Sequence, residues 1–208
     1  MRPITAPSIR LGQRLRMACA AALLVGAASP ALAIDADRVP EVKRTPLGLY
    51  LTAREAAEMK AREGAAVLFV DVRTRAEATF LGMATTVDAL VPYQDFNGET
   101  AGWDEKNSTF SMEANLDFVK QLESQLKARQ LGKDSPVILM CRSGARSATG
   151  VTLLAKYGFT RVYTVVDGYE GDVAKDGPRA GQRAVNGWRI EGLPWSYRLD
   201  KAKVAPGL

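Results

Sequence analysis

Cys141-Arg142-Ser143-Gly144-Ala145-Arg146-Ser147 places one thiol, two guanidiniums and two hydroxyls in a short run that follows the apolar stretch Val137-Ile138-Leu139-Met140. The residues after it, Ala148 to Phe159, have a helical pattern closed by Gly158, so the thiol stands where a strand turns into a helix. Gly144 allows a tight turn. A helix starting near Ser147 would aim its unsatisfied backbone N–H groups back at the centre of the loop. Such a cradle, with Arg142 and Arg146 beside it, stabilises an anion and holds a thiolate. The competing structural reading is a small apolar residue that ends a core strand. Two arginines and a glycine within five residues of the cysteine are more than a plain strand-to-helix turn requires, and they favour a reactive thiol.

The N-terminus decides what that thiol can do. Residues 1–16 are basic and free of acids, residues 17–28 are mostly apolar but too short a run to span a bilayer comfortably, and Ala31-Leu32-Ala33 fits a small-x-small cleavage site. We read residues 1–33 as a secretory signal, with Ile34 the first mature residue and a periplasmic or secreted destination. Arg14 and Arg16 are separated by Leu15, so there is no twin-arginine pair, and Cys19 precedes the apolar run, which argues against a lipoprotein. The whole chain has 28 Lys and Arg against 23 Asp and Glu, a formal charge of +5. Four of those arginines lie in the leader, leaving 24 basic against 23 acidic residues and a charge of +1. The basic balance therefore belongs to export and not to nucleic-acid binding. No later segment is long and apolar enough to be read as a membrane span, so no membrane association is expected after cleavage.

Cleavage would also remove Cys19, leaving Cys141 as the only cysteine. A lone thiolate cannot close an internal disulfide, but it can accept a group covalently and pass it to an external nucleophile.

The elements that must position Cys141 are legible in outline. After an extended lead-in over residues 34–46, Leu47 to Leu51 reads as a strand, and Thr52 with Glu55 as a capping box. The helix that follows would place Ala53, Ala56, Ala57 and Ala61 on one face and end at Gly64. Residues 65–72 form a continuous apolar run, the pattern of a strand buried on both faces. A short helix or loop is expected around residues 77–81, a turn at Gly82, a strand over residues 89–91 and a polar excursion over residues 94–112. Residues 116–131 predict a helix with a Leu116, Val119, Leu122, Leu126 stripe, ended by Gly132. The run ending at Cys141 and residues 161–166 complete five strands. Strands alternating with helices predict an α/β domain over residues 47–199, with a mainly parallel five-stranded sheet and helices on both faces. Residues 167–195 are glycine-rich, with Trp188 and Trp195 as anchors, and residues 200–208 read as a C-terminal tail. Trp103 is likewise read as a packing anchor.

Ligands gather at the carboxyl ends of parallel strands, which selects Cys141 and, at the end of an earlier strand, Asp71 with Arg73. For Asp71 and Arg73 a structural role is as well supported as a functional one, and Glu77 is read as structural.

These residues resemble the rhodanese-like domains, sulfurtransferases whose cysteine carries a persulfide. The resemblance covers roughly residues 49–195. It rests chiefly on the C-R-S-G-x-R-S loop between an apolar strand and a helix, and secondarily on Asp71-x-Arg73. It implies that Cys141 is the persulfide-bearing nucleophile, that the backbone N–H groups of Arg142, Ser143, Gly144, Ala145, Arg146 and Ser147 cradle the outer sulfur, and that Arg142 and Arg146 attract an anionic sulfane donor such as thiosulfate. Arg146 pairing structurally with Asp71 is the other role it allows. The acceptor it implies is cyanide or a thiol, including a protein thiol, with no metal or organic cofactor. Many family members have Gly-His-Ile after the D-x-R; this chain has Gly82-Met83-Ala84 and no histidine at all. A histidine base and a histidine metal site are therefore excluded.

Three functions compete. One is an enzyme that takes sulfur from a sulfane donor. Another is a relay or binding module loaded only by a protein partner. The third is a cysteine phosphatase, whose loops place the arginine after five intervening residues where this loop has four, a spacing that suits one sulfur atom better than a phosphoryl group.

Overall fold

The computed structural model describes Ile34 and residues 36–96 and 102–205. The expected signal sequence lies outside the described residues. The lead-in is not uniformly extended: single 3-10 turns form at Ala36–Arg38 and Glu41–Lys43. Val39 and Lys43 are buried, because this segment packs against the helix that follows Cys141.

Strand β1 (Tyr50–Leu51) leads into α1 (Ala53–Glu63), started by the expected capping box. The Glu55 N–H donates to Thr52 Oγ1 at 3.1 Å, and the Thr52 N–H to Glu55 Oε2 at 2.7 Å. The buried face is Ala53, Ala56 and Met59, with Ala57 partly covered; Ala61 is exposed, since the expected alanine stripe drifts away from the sheet by the last turn. Strand β2 (Leu68–Asp71) is buried throughout. Helix α2 (Arg75–Leu81) is a true helix with a second capping box, Thr74 and Glu77. The short strands β3 (Met83–Ala84) and β4 (Ala89–Leu90) follow the turn at Gly82.

The polar excursion folds as two antiparallel ribbons: β5 (Gln94–Asp95) with β8 (Glu113–Ala114), and β6 (Trp103–Asp104) with β7 (Thr109–Phe110). Helix α3 (Phe118–Ala128) buries Phe118, Leu122 and Leu126. Leu116 precedes the helix and is 96% exposed, so the leading residue of the expected stripe is replaced by Phe118. Gln130, at φ 58°, ends α3 where Gly132 was expected, with its N–H and that of Leu131 bonded to the carbonyls of Lys127 and Leu126.

Strand β9 (Val137–Met140), α4 (Ala145–Lys156) and β10 (Val162–Val165) complete the main sheet, and β11 (Trp195–Ser196) pairs antiparallel with β3. The sheet order is β1-β10-β9-β2-β4, and every pairing in it is parallel. Alternation along β2 and β9 divides the core. Phe69, Ile138 and Met140 face α1 and α2, whereas Leu68, Val70, Val137, Leu139 and Cys141 face α3 and α4. After β2 the chain proceeds outward to β4; after β9 it turns the other way, to β10. The point of reversal, where an open α/β sheet offers a crevice, lies between the carboxyl ends of β2 and β9.

Beyond Asp167 the glycine-rich segment is anchored by fully buried Trp188, which packs at 5.5 Å on Phe69. Trp103, by contrast, is 52% exposed and meets Phe110 edge-on, so it does not act as an anchor into the core clusters of the described residues. Residues 200–205 are not a free tail. Val204 bridges Leu90, Ala205 is buried and its N–H bonds Leu90, so the domain extends over the β4 edge.

Candidate functional site

Cys141 caps the central strand β9 and is 1% exposed. The next residues reverse direction through Gly144, whose φ of 98° lies in the left-handed region. A Cβ there would collide with the Val166 carbonyl oxygen, so glycine is demanded by both conformation and space. The turn brings the Gly144 N–H to 3.1 Å from Cys141 Sγ. Helix α4 starts at Ala145, earlier than expected, which places Ser147 inside its first turn. There the Ser147 hydroxyl lies 3.5 Å from Sγ, 3.0 Å from the Gly144 carbonyl and 2.8 Å from the Thr164 hydroxyl. The Gly144 N–H thus donates to the sulfur, the Ser147 hydroxyl lies within reach of it with one proton that the Gly144 carbonyl also accepts, and the first N–H groups of α4 have no acceptor within the helix.

The loop is held from behind by the glycine-rich segment. The Tyr169 N–H donates to the Cys141 carbonyl at 2.8 Å, and the Glu170 and Gly171 N–H groups donate to that of Arg142 at 2.9 and 3.2 Å. Gly168 makes this approach possible: its φ is 64°, and a Cβ would lie 2.6 Å from Arg142 C and Ser143 N. Lys43 completes the support, with its ammonium 2.7 Å from Asp172.

In front of the sulfur is an open cleft of about 590 Å³. Arg142, Ser143, Ala145 and Arg146 line one side, and Phe110, Ser111 and Met112 of the excursion line the other. Gly144 and Ser147 lie beneath and reach Sγ without lining the cleft. Arg142 is exposed and forms no ion pair among the described residues.

Arg146 does not pair with Asp71. It grips Glu77 with two bonds, Nη1 to Oε2 at 2.8 Å and Nη2 to Oε1 at 2.5 Å, and Nη1 also lies 3.8 Å from Met112 Sδ. Burial disfavours the Glu77 charge, but the Arg146 hydrogen bonds and charge, with the Thr74 N–H, hold this carboxyl below its ordinary range. Burial likewise opposes the Arg146 charge, and Glu77 more than compensates, so its ionisation is strengthened. Glu77 therefore sets where Arg146 points, a role missed from the sequence although the Thr74-x-x-Glu77 box was there to place its carboxylate.

Asp71 and Arg73 are fully buried and bind each other. Arg73 Nη2 lies 2.6 Å from Asp71 Oδ2 and 2.8 Å from the Gly82 carbonyl, Nε lies 3.0 Å from Asp71 Oδ1, and the guanidinium sits 3.7 Å from the Tyr169 ring centre. Neither lines the cleft. Burial lifts the Tyr169 phenol to about 12, so it remains a donor, to the Leu81 carbonyl at 3.1 Å.

The curated relatives include an uncharacterized protein of Rickettsia prowazekii, 30% identical over 64 residues, a match spanning 31% of this chain and 44% of that one. Its Rickettsia rickettsii homologue is 26% identical over 128 residues, 62% of this chain and 81% of that one. The chain thus spans less than half the length of the first of these relatives. Among solved structures, Rv0390 from M. tuberculosis superposes with a TM-score of 0.53 at 29% identity, covering 72% of this chain and 97% of that one. The family model for the rhodanese-like domain matches residues 52–175, from the cap of α1 through the cysteine loop. The chain belongs to the rhodanese-like domain family.

Proposed function

We propose that the chain is a sulfurtransferase carrying a persulfide on Cys141. The observation that carries this reading is the convergence of the Gly144 N–H and the Ser147 hydroxyl on Sγ at the floor of an arginine-lined cleft. With thiosulfate as donor, the thiolate attacks the sulfane sulfur. The new S–S bond forms as the old one breaks, and sulfite leaves with its electron pair. Cyanide then attacks the outer sulfur to give thiocyanate, or a thiolate takes it as a persulfide, and either step returns the Cys141 thiolate. The outer sulfur carries the negative charge between the two steps, in reach of the first-turn N–H groups of α4. Arg142, exposed at the cleft mouth, attracts the anionic donor.

The test is the intact mass of the protein after thiosulfate treatment. The expected result is a gain of one sulfur atom that Cys141→Ser abolishes; no gain on the native protein overturns the proposal. The relay reading is favoured by Trp103 and Phe110, 52% and 59% exposed on the excursion that walls the cleft, a surface suited to a protein acceptor. Turnover with cyanide alone supports the enzyme, and loading without turnover supports the relay. Against phosphoryl transfer stands the grip of Glu77 on Arg146, which withholds the guanidinium that would wrap phosphate oxygens.

We also propose export through the N-terminal pattern, with Ile34 as the mature start. N-terminal sequencing of protein recovered outside the cytoplasm tests it.

A further inference from the structure

Residues 176–195 lie beyond the segment that matches the family, and they build a second cleft, of about 280 Å³, lined by Glu170, Arg179, Arg183, Arg189, Ile190 and Trp195. None of the three arginines forms an ion pair among the described residues, so three guanidiniums face a single lining carboxylate. Two are held in place without a counter-charge: Arg183 Nη1 donates to the Gly171 carbonyl at 2.5 Å, and the Arg189 guanidinium stacks 4.3 Å from the Trp195 ring centre. Fixed like charges around a concave surface are a pre-organised receptor for negative charge. The cleft adjoins the cysteine site. Gly171, whose carbonyl holds Arg183, donates its N–H to the Arg142 carbonyl, and Arg142 lines the Cys141 cleft.

We propose that Arg179, Arg183 and Arg189 form a second anion site beside Cys141, which takes a small ligand bearing two or more negative charges in oxyanion groups. Burial and the nearby Arg142 charge push Arg183 below its ordinary value, and the charges of Glu170, Asp172 and Cys141 offset this only in part. The occupant is either the sulfane donor itself or the carboxylates of a thiol acceptor. Its catalytic consequence rests on the proposed sulfur transfer; anion binding does not.

Calorimetric titration of the full protein with pyrophosphate at low salt tests the site directly. Arg179→Glu reverses an exposed charge, and Arg183→Gln keeps an amide to serve the Gly171 carbonyl. Each is expected to weaken binding roughly tenfold or more, the effect of losing one charge-assisted contact. Arg161→Gln, an exposed arginine at the opposite end of the sheet, controls for bulk charge and leaves binding unchanged. No binding by the native protein, unchanged affinity in both site variants, or an equal loss in the control overturns the proposal. Steady-state kinetics then identify the source. A raised KM for thiosulfate assigns the donor; a raised KM for a carboxylate-bearing thiol, with cyanide unaffected, assigns the acceptor. If the native protein forms no persulfide, the sulfur-transfer reading falls while the titration still decides the anion site.

Discussion

The carboxyl ends of β2 and β9 lie side by side in the sheet, joined by the Val72 N–H bonded to the Met140 carbonyl at 2.8 Å, and each carries a charged constellation. At β2, Arg73 Nε and Nη2 bind Asp71, Nη2 also serves the Gly82 carbonyl, and the Tyr169 ring covers the guanidinium, whose Nη1 is buried without a hydrogen-bond partner. At β9, Cys141 meets the Gly144 N–H and the Ser147 hydroxyl and faces an open cleft, and Arg142, which lines it together with Asp104, forms no ion pair among the described residues. Charge at a strand end is therefore not enough to make a site. What separates the two is unused bonding capacity facing solvent: the first constellation is consumed in holding the fold, and the second is held by the fold and kept available.

The sharpest way to break this contrast is to exchange the expected effects. Arg73→Ala strands a fully buried Asp71 carboxylate and is expected to cost about 3–5 kcal/mol, the penalty for removing one partner of a buried pair. Urea denaturation of the variant reads it. Cys141→Ser changes one buried atom and is expected to cost no more than about 1 kcal/mol while abolishing persulfide formation. An Arg73 variant of native stability, or a Cys141→Ser protein that does not fold, would erase the distinction between the two strand ends.

The neighbouring end of β10 offers a third case. Asp167 is 5% exposed and accepts the Ala53 N–H at 2.8 Å, holding the start of α1. Burial raises its carboxyl from 3.8 to about 6, against the pull of the two backbone N–H bonds and Lys43. Because the folded value is the higher one, its contribution to stability is fully present below pH 3.8 and is lost as pH rises to about 6. Asp167→Asn keeps an acceptor for Ala53 and removes the charge. It is expected to flatten that part of the stability profile and to stabilise the protein at neutral pH by about 1–3 kcal/mol, the N-terminus of α1 returning part of the cost to the native carboxylate. Thermal melts across the window measure this; a native profile that rises between pH 4 and 6 for this residue would contradict it.

How far the sequence reached follows from the kind of physics involved. Strands β2, β9 and β10 announce themselves because burial on both faces leaves uninterrupted apolar runs, and the thiol was found because glycine and arginine beside it are local neighbours. The stripe of α3 fails at Leu116 because periodicity gives spacing without the helix boundary: the helix begins two residues later, at Phe118, which stands four residues before Leu122 and eight before Leu126. Gly132 reads as the helix stop because residue type is visible in sequence, whereas the left-handed turn at Gln130 depends on local bonds that residue type does not mark. The partners of Arg146 and Arg73 depend on which loops meet at the sheet edge. Glu77 and Asp71 are both acids within reach in sequence, and only the folded geometry assigns each to its arginine. Arg183 carried no local mark at all, since the Gly171 carbonyl that orients it belongs to a different turn of the same long loop.

The pairing of Glu77 with Arg146 supplies the most delicate test, because it is structural on one side and lines the cleft on the other. Breaking it with Glu77→Gln is expected to cost about 1–2 kcal/mol, since the pair is mostly but not fully buried and the amide still accepts one bond. A double-mutant cycle with Arg146→Gln isolates the coupling from the capping role Glu77 plays for Thr74. The sign of the pH effect is opposite to that of Asp167. The folded Glu77 carboxyl lies below its ordinary 4.5, so its stabilisation is present above that value and disappears as pH falls through the folded one. In Glu77→Gln this acid limb flattens. The same variant releases Arg146, already on the cleft wall, from the direction Glu77 imposes on it, and the expected kinetic signature is a change in KM for an anionic donor with kcat nearly constant. Unchanged KM together with a lost acid limb would assign the pair wholly to the fold, and would move Arg146 from the β9 side of the comparison to the side of Arg73.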